Sequence, residues 1–248
     1  MLEINHITVR SAKITQPLTF ALCPDFHNGD VDLVLSACQG VDAILVVGDL
    51  VDRHDHRTNG FDNAVRFLNE APDVAPVFYS IGNHERKLKN LADYWPHVEK
   101  SRVTVLDDRF VEFGGIVLGG LSSIRVGKEE HKRPLQLAEK KPFLRAMSEQ
   151  EGFKLLMCHH PEYFADAVLN RDIDLTIAGH AHGGQVRIGK QGIYSPGQWL
   201  FPKLTSGFYF DDRLLVSRGV TNATWAPRIN CGCEVIMLHL SPKEAAHA

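Results

Sequence analysis

Apolar positions in this chain fall into short runs, each cut off by glycine, proline or a polar cluster. Residues 16–24 read as a strand ending at Pro24. Apolar residues at 31, 34, 35 and 38 recur at helical spacing and predict a helix over 30–39. The run 41–47 is short, apolar and strand-like, and it stops at Gly48-Asp49. Residues 64–69 are helical in pattern, and 76–81 is a strand that stops at Gly82-Asn83-His84-Glu85. Residues 86–99 read as helix, followed by strands at 103–106, 110–113 and 116–121, then a helix over 134–150. The strand 153–158 stops at His159-His160-Pro161, and residues 162–170 are again helical. The strand 175–178 feeds Gly179-His180-Ala181-His182-Gly183-Gly184-Gln185. Residues 186–212 are rich in Gly, Pro and aromatics, and closing strands are expected at 214–218 and 234–240. Strands and helices alternate through the first half, and strands dominate parts of the second. That pattern predicts an α/β fold with a mixed sheet, or two sheets packed together between helices. No repeat or linker interrupts it, so one domain over residues 1–248 is expected.

Composition narrows the class. The chain is 44% hydrophobic and 23% charged with a net charge of -3, so its overall charge favours neither nucleic acid nor an anionic membrane. No run approaches the roughly 20 apolar residues of a membrane helix. The first residues lack the basic start and apolar core of a signal peptide. A cytoplasmic protein with reduced thiols is the expectation. Of the 5 cysteines, only Cys231 and Cys233 are close, and a disulfide there would close a very tight ring. A cysteine zinc site would need a second pair. The unusual number is 13 histidines, which suggests metal or proton chemistry.

Several of those histidines stand directly after strands. Five apolar runs end in residues suited to metals: Asp25/His27, Asp49, Asn83/His84, His159/His160 and His180/His182. In α/β folds, ligands bind outside the carboxyl ends of strands, where loops converge. Each pair alone is weak, because a lone histidine after a strand is commonly structural. Together they point to one site. Asp25/His27 and His180/His182 are both i, i+2, so extended backbone would aim each pair at one face. Asp49 has two oxygens and could bridge, and Asn83 offers an amide oxygen. Oxygen and nitrogen donors without sulfur suit Mn²⁺, Fe, Zn²⁺ or Mg²⁺.

In order, Asp25-x-His27, Gly48-Asp49-x-x-Asp52, Gly82-Asn83-His84-Glu85, His159 and Gly179-His180-x-His182 resemble the motifs of the calcineurin-like metallophosphoesterases. The resemblance covers residues 18–240. The phrase Gly179–Gln185, with Ser217-Arg218-Gly219 and a closing strand, looks like a bacterial phosphodiesterase branch that includes UDP-2,3-diacylglucosamine hydrolases. The resemblance implies a four-layer α/β/β/α sandwich and a dinuclear centre, Mn²⁺ being favoured. It implies Asp25, His27, Asp49 and His182 around one metal, and Asp49, Asn83, His159 and His180 around a second. His84 would contact the phosphate and protonate the leaving oxygen, with Asp52 orienting it. Two metals roughly 3.5–4 Å apart clamp the attacking and leaving oxygens and generate a hydroxide at neutral pH.

The expected function is therefore hydrolysis of a small phosphorylated substrate, diester favoured over monoester. A sugar-nucleotide or nucleotide pyrophosphatase is the alternative, and an inactive metal-binding scaffold is a third. Ile81 stands where the protein phosphatases of this superfamily carry an arginine, which disfavours a phosphoprotein substrate. Members of that bacterial branch often carry a membrane segment ahead of this region, and none is seen here. Other features have plainer readings. His54 and His56 read as a solvated loop, Glu85 as a turn hydrogen bond, and His160 as rim or packing. The seven basic residues between 124 and 145 read as a solvated helical face rather than a lid. Core packing accounts for most aromatics over 194–210; an exposed Trp199-Leu200-Phe201 would instead favour a substrate cleft or a lipid contact. Arg218 and Asn222 are candidates to reach substrate, and Gly183 and Gly184 would leave room for it.

Overall fold

Every residue of six strands is buried, which requires cover on both faces. In the computed structural model these strands build two six-stranded sheets. Residues 2–54, 60–124, 137–222 and 227–243 are described. The first sheet runs β1 (Leu2–Ser11), β16 (Cys233–Pro242), β2 (Leu18–Leu22), β3 (Ala43–Val47), β4 (Val77–Ser80), β5 (Thr104–Val105). The second runs β14 (Gly207–Tyr209), β15 (Leu214–Val216), β9 (Leu175–Ala178), β8 (Phe153–Cys158), β7 (Ile116–Leu121), β6 (Arg109–Phe113). Most neighbours are parallel; β16–β2, β14–β15 and β6–β7 are antiparallel. Two small hairpins, β10–β11 (Arg187–Ile188, Gln191–Gly192) and β12–β13 (Tyr194–Ser195, Trp199–Leu200), fill part of 186–212.

Alternation along the strands sorts the core into three layers. Phe20, Leu22, Leu45 and Val47 of the first sheet meet Leu118, Leu155, Met157 and Ile177 of the second. On the far side of the first sheet, Ala21, Ile44, Val46 and Tyr79 face α1 (Val31–Ala37), α2 (Asp62–Val74), α3 (Asn83–Lys87) and α4 (Leu91–Lys100). On the far side of the second, Val117, Leu156 and Ala178 pack with Leu144 and Met147 of α5 (Lys141–Ser148) and with the short turn Phe164–Val168. The order is helices, sheet, sheet, helices, as the motif resemblance implies.

Several boundaries move. The helix expected over 86–99 is two helices, and the one expected over 134–150 is described as α5 from Lys141. Residues 125–136 and His56 lie outside the described residues, so four of the seven basic residues do too. Arg145 pairs with Glu149 one turn on, as on a solvated face. The expected 162–170 helix is a single wide turn. Strand β1 was not expected at all, yet it pairs with β16 over its whole length. All five cysteines are free thiols. The aromatics divide: Phe208, Tyr209 and Phe210 are half-buried against the cores, while Trp199, Leu200 and Phe201 are exposed.

Consecutive glycines in β7 allow this layering. A Cβ on Gly119 would press on Met147 of α5, and one on Gly120 would run into the carbonyl oxygen of Leu106, at the end of β5. Gly120→Ala must therefore push the sheets apart. It should lower stability by about 1–3 kcal/mol, read as a reduced urea midpoint. An unchanged midpoint would mean that this contact does not limit sheet spacing.

Candidate metal centre

The strand ends converge. Asp25 follows β2, Asp49 follows β3, Asn83 and His84 follow β4, His159 follows β8, and His180 and His182 follow β9. Backbone and side-chain bonds stitch the two sheets at this edge. Val220 N–H donates to Pro24 O at 3.0 Å, and His180 N–H donates to the Asp25 carboxylate at 3.0 Å. His159 Nδ1 lies 2.8 Å from Val47 O, so the ring crosses from one sheet to the other with Nδ1 as donor. That turns Nε2 toward the cluster, where the neutral ring could bind a cation.

The expected i, i+2 geometry is present for a different reason. The backbone at Asp25, His27, Asp49, His180 and His182 is left-handed, with φ of 57°, 45°, 55°, 66° and 46°. Extended strands do not aim these side chains; tight left-handed turns past the strands do. Such conformations cost of order 1–3 kcal/mol each and persist only where the surroundings impose them. Glycines supply the space. A Cβ on Gly48 would stand 2.8 Å from the His159 ring, and one on Gly179 would stand 2.6 Å from Asp25 Oδ2.

Four groups of donors result among the described residues, two of them, His27/Asp52/His84 and His160/Glu162/His180, flanking the two central ones. Asp25, His27 and His182 offer atoms within 4.8 Å of one another, and so do Asp49, His159 and His180. Asp49 Oδ2 lies 3.0 Å from His159 Nε2 and 3.9 Å from His27 Nε2, so it faces both groups. Asp49 Oδ1 accepts from His84 N–H at 2.8 Å. Asp25 Oδ1 lies 3.6 Å from His27 Nε2 and 3.7 Å from His182 Nε2. Burial alone would push both carboxyls up. The histidines around them, His182 foremost for Asp25 and His159 for Asp49, outweigh it and hold both below the ordinary range. Burial would lower His159, but the Asp49 charge reverses that and raises it to about 10. His182 falls to about 3 because burial outweighs the pull of Asp25. Burial also drives His180 down.

The donor set fits cations. His27 Nδ1 and Nε2 and Asn83 Oδ1 are buried without a hydrogen-bond partner. Leaving such atoms unpaired is costly, and a coordinated ion relieves it. Six of the seven expected donors fall in the two central groups, and Asn83, the seventh, follows β4 with its side chain buried. His84 stands at its mouth, its ring 4.4 Å from that of His27. Its Nδ1 lies 3.2 Å from the Arg53 N–H and 3.3 Å from Asp52 Oδ1. Burial works to raise Asp52, yet its bond to His84 and the His54 N–H hold it at about 2. His160 stacks on Tyr163, lies 3.3 Å from Glu162 and packs against the His180 ring at 4.0 Å.

Other expectations are revised. Arg218 does not reach toward the centre: its guanidinium pairs with Glu234 at 2.8 Å and Glu3 at 2.7 Å. Gly183 and Gly184 do not make room for substrate. A Cβ on Gly183 would strike Cys231, and one on Gly184 would meet Gly192 at 2.5 Å. Arg228, which no motif marks, lies with Nη2 3.3 Å from His182 Nδ1. Glu85 exceeds its turn role. It accepts from Gly82 N–H at 2.8 Å, and also from Leu50 at 2.7 Å and Asp49 at 3.1 Å.

A two-sheet sandwich with imidazoles and carboxylates gathered at its strand ends defines a metal-dependent hydrolase class. Residues 18–184 match the sequence profile of the calcineurin-like phosphoesterases, and the chain belongs to that family. It is 26% identical to an uncharacterized metallophosphoesterase of Helicobacter pylori over 74% of this chain and 50% of that protein. An uncharacterized metallophosphoesterase of Campylobacter jejuni is 26% identical over 98% of this chain and 64% of its own length. The chain thus spans about half to two thirds of these relatives. A solved metallophosphoesterase from Sphaerobacter thermophilus is a looser likeness, with a TM-score of 0.33, 17% identity, and 67% and 61% of the two chains covered. No described helix is long and apolar enough to cross a membrane.

Glu85 ties the Asp49 loop to the Asn83 loop, so its loss should be felt as stability. Glu85→Ala leaves several buried N–H groups unpaired and should cost about 3 kcal/mol or more by denaturant melting. A loss below about 1 kcal/mol would refute this role.

Proposed function

We propose that this chain is a dinuclear metal-dependent phosphoesterase that prefers diesters. The observation carrying this reading is the buried donor cluster in which Asp49 faces both groups of imidazoles. Asp25, His27, Asp49 and His182 hold one cation, and Asp49, Asn83, His159 and His180 hold the other. Mixed oxygen and nitrogen donors suit Mn²⁺, Fe²⁺ or Zn²⁺. Such ions supply a Lewis acid for the phosphoryl oxygens and make a nearby water acidic enough to attack at neutral pH.

The chain's own residues do the rest. His84 acts as the imidazolium: it gives its Nε2 proton to the leaving oxygen and keeps the Nδ1 proton, which faces Asp52 Oδ1 at 3.3 Å. The neutral ring left behind can take a proton back from water. Burial of Asp25 and Asp49 keeps bulk water from screening the charges that meet the phosphate. Ile81 in place of an arginine supports a diester over a phosphoprotein, since no extra cation stands there for a doubly charged monoester.

The test is turnover of bis-p-nitrophenyl phosphate against p-nitrophenyl phosphate with Mn²⁺, Mg²⁺, Zn²⁺ and Fe²⁺. Faster diester cleavage is expected. No turnover of either ester by protein with both metals bound contradicts the reading, and a preferred monoester reverses the substrate class. His84→Ala should keep its metal content and lose roughly 10²–10⁴-fold in rate. An unchanged rate would remove His84 from the chemistry.

A further inference from the structure

The hairpins that follow the His182 loop carry an exposed apolar tip that the metal centre does not use. Trp199, Leu200 and Phe201 are 71%, 65% and 65% exposed, and Ile188 is 73% exposed. Ile188 pairs across β10–β11 with Gln191, whose amide donates to Pro202 O at 3.1 Å, so these side chains stand on adjoining hairpins. Trp199 and Phe201 have φ of 60° and 52°, a backbone region that bulky residues seldom adopt. Apolar groups gathered in the open this way mark a contact surface.

Charge says which kind. No Asp or Glu occurs from residue 175 to 210, and the one carboxylate recorded beside the Gly197 turn is that of Glu162, whereas Arg187 and Lys190 fall on the first hairpin and Lys203 just past the second, both lysines exposed. The overall charge of -3 hides this local excess. Protein interfaces are depleted in lysine at their cores. Tryptophan beside lysine is instead the chemistry of an anionic bilayer, where rings sit at headgroup depth and cations face phosphates. The tip is also joined closely to the metal cluster. Gly197, in the turn between β12 and β13, lies so near His180 that a Cβ there would stand 3.0 Å from its Nε2.

We propose that this tip docks on an anionic lipid surface. Trp199, Leu200, Phe201 and Ile188 enter the interface, and Lys190 and Lys203 face lipid phosphates. The mouth of the metal cluster is thereby held beside the bilayer.

The experiment is flotation of the full chain with vesicles of phosphatidylcholine, with and without phosphatidylglycerol, at low and high salt. Binding is expected only with phosphatidylglycerol and should weaken with salt. Trp199→Asn with Phe201→Asn should weaken it at least about tenfold. Asparagine accepts a positive φ, so the fold should hold, and an unchanged melting temperature checks this. Lys190→Gln and Lys203→Gln should each cost about fivefold. No binding to phosphatidylglycerol vesicles overturns the proposal, as does equal binding by the double asparagine variant. A dimer in gel filtration that this variant dissolves, without vesicle binding, would assign the tip to a second copy and also overturn it. Vesicle binding needs no turnover, so its failure is separate from failure of the phosphoesterase reading.

Discussion

Two carboxylates buried where two sheets meet set the terms for the rest of the structure. Asp25 and Asp49 are fully buried, and among the described residues their ion-pair neighbours are imidazoles alone. A buried ion without compensation costs several kcal/mol. Here the compensation comes from histidine rings and from the N–H groups of His180 and His84. Glu85 adds a third buried carboxyl. Burial, then the Asp49 charge, raises it above its ordinary range, even as it binds the Asp49 amide. So much negative charge in one place is the natural counterpart of divalent cations.

Holding those groups demands an unusual backbone. Five donors sit in left-handed turns, and the strands behind them are the best-buried segments of the chain. The layered core over-determines the strand ends, and the ends in turn carry the strain. Gly48 and Gly179 let His159 and Asp25 come close, while Gly120 lets the sheets approach. Fold and site are thus one mechanical problem: a change in sheet spacing would part His182 from Asp25 and His27, and His159 and His180 from Asp49.

Much of this was legible in the chain. Buried parallel strands announce themselves as continuous apolar runs, and the polar residue that ends each run is where a ligand belongs. Strand β1 was hidden because its inward row carries Asn5, which bonds Glu234, while Ile4 points outward at 49% exposure. Neither a period of two nor a helical period survives that exchange. The i, i+2 pairs were legible but their backbone was not, since a positive φ at aspartate or histidine leaves no mark in composition. Arg228 approaches His182 only through the fold, far along the chain. Trp199 to Phe201 read as packing because apolarity alone does not say which way a hairpin turns.

In the proposed function Asp49 is shared by two cations. Elemental analysis of the purified chain after loading with Mn²⁺, beside Asp49→Ala, tests it most directly. Two ions per chain are expected in the native protein and almost none in the variant, because a shared ligand serves both positions. A single ion in the native protein, or two retained by Asp49→Ala, would contradict it.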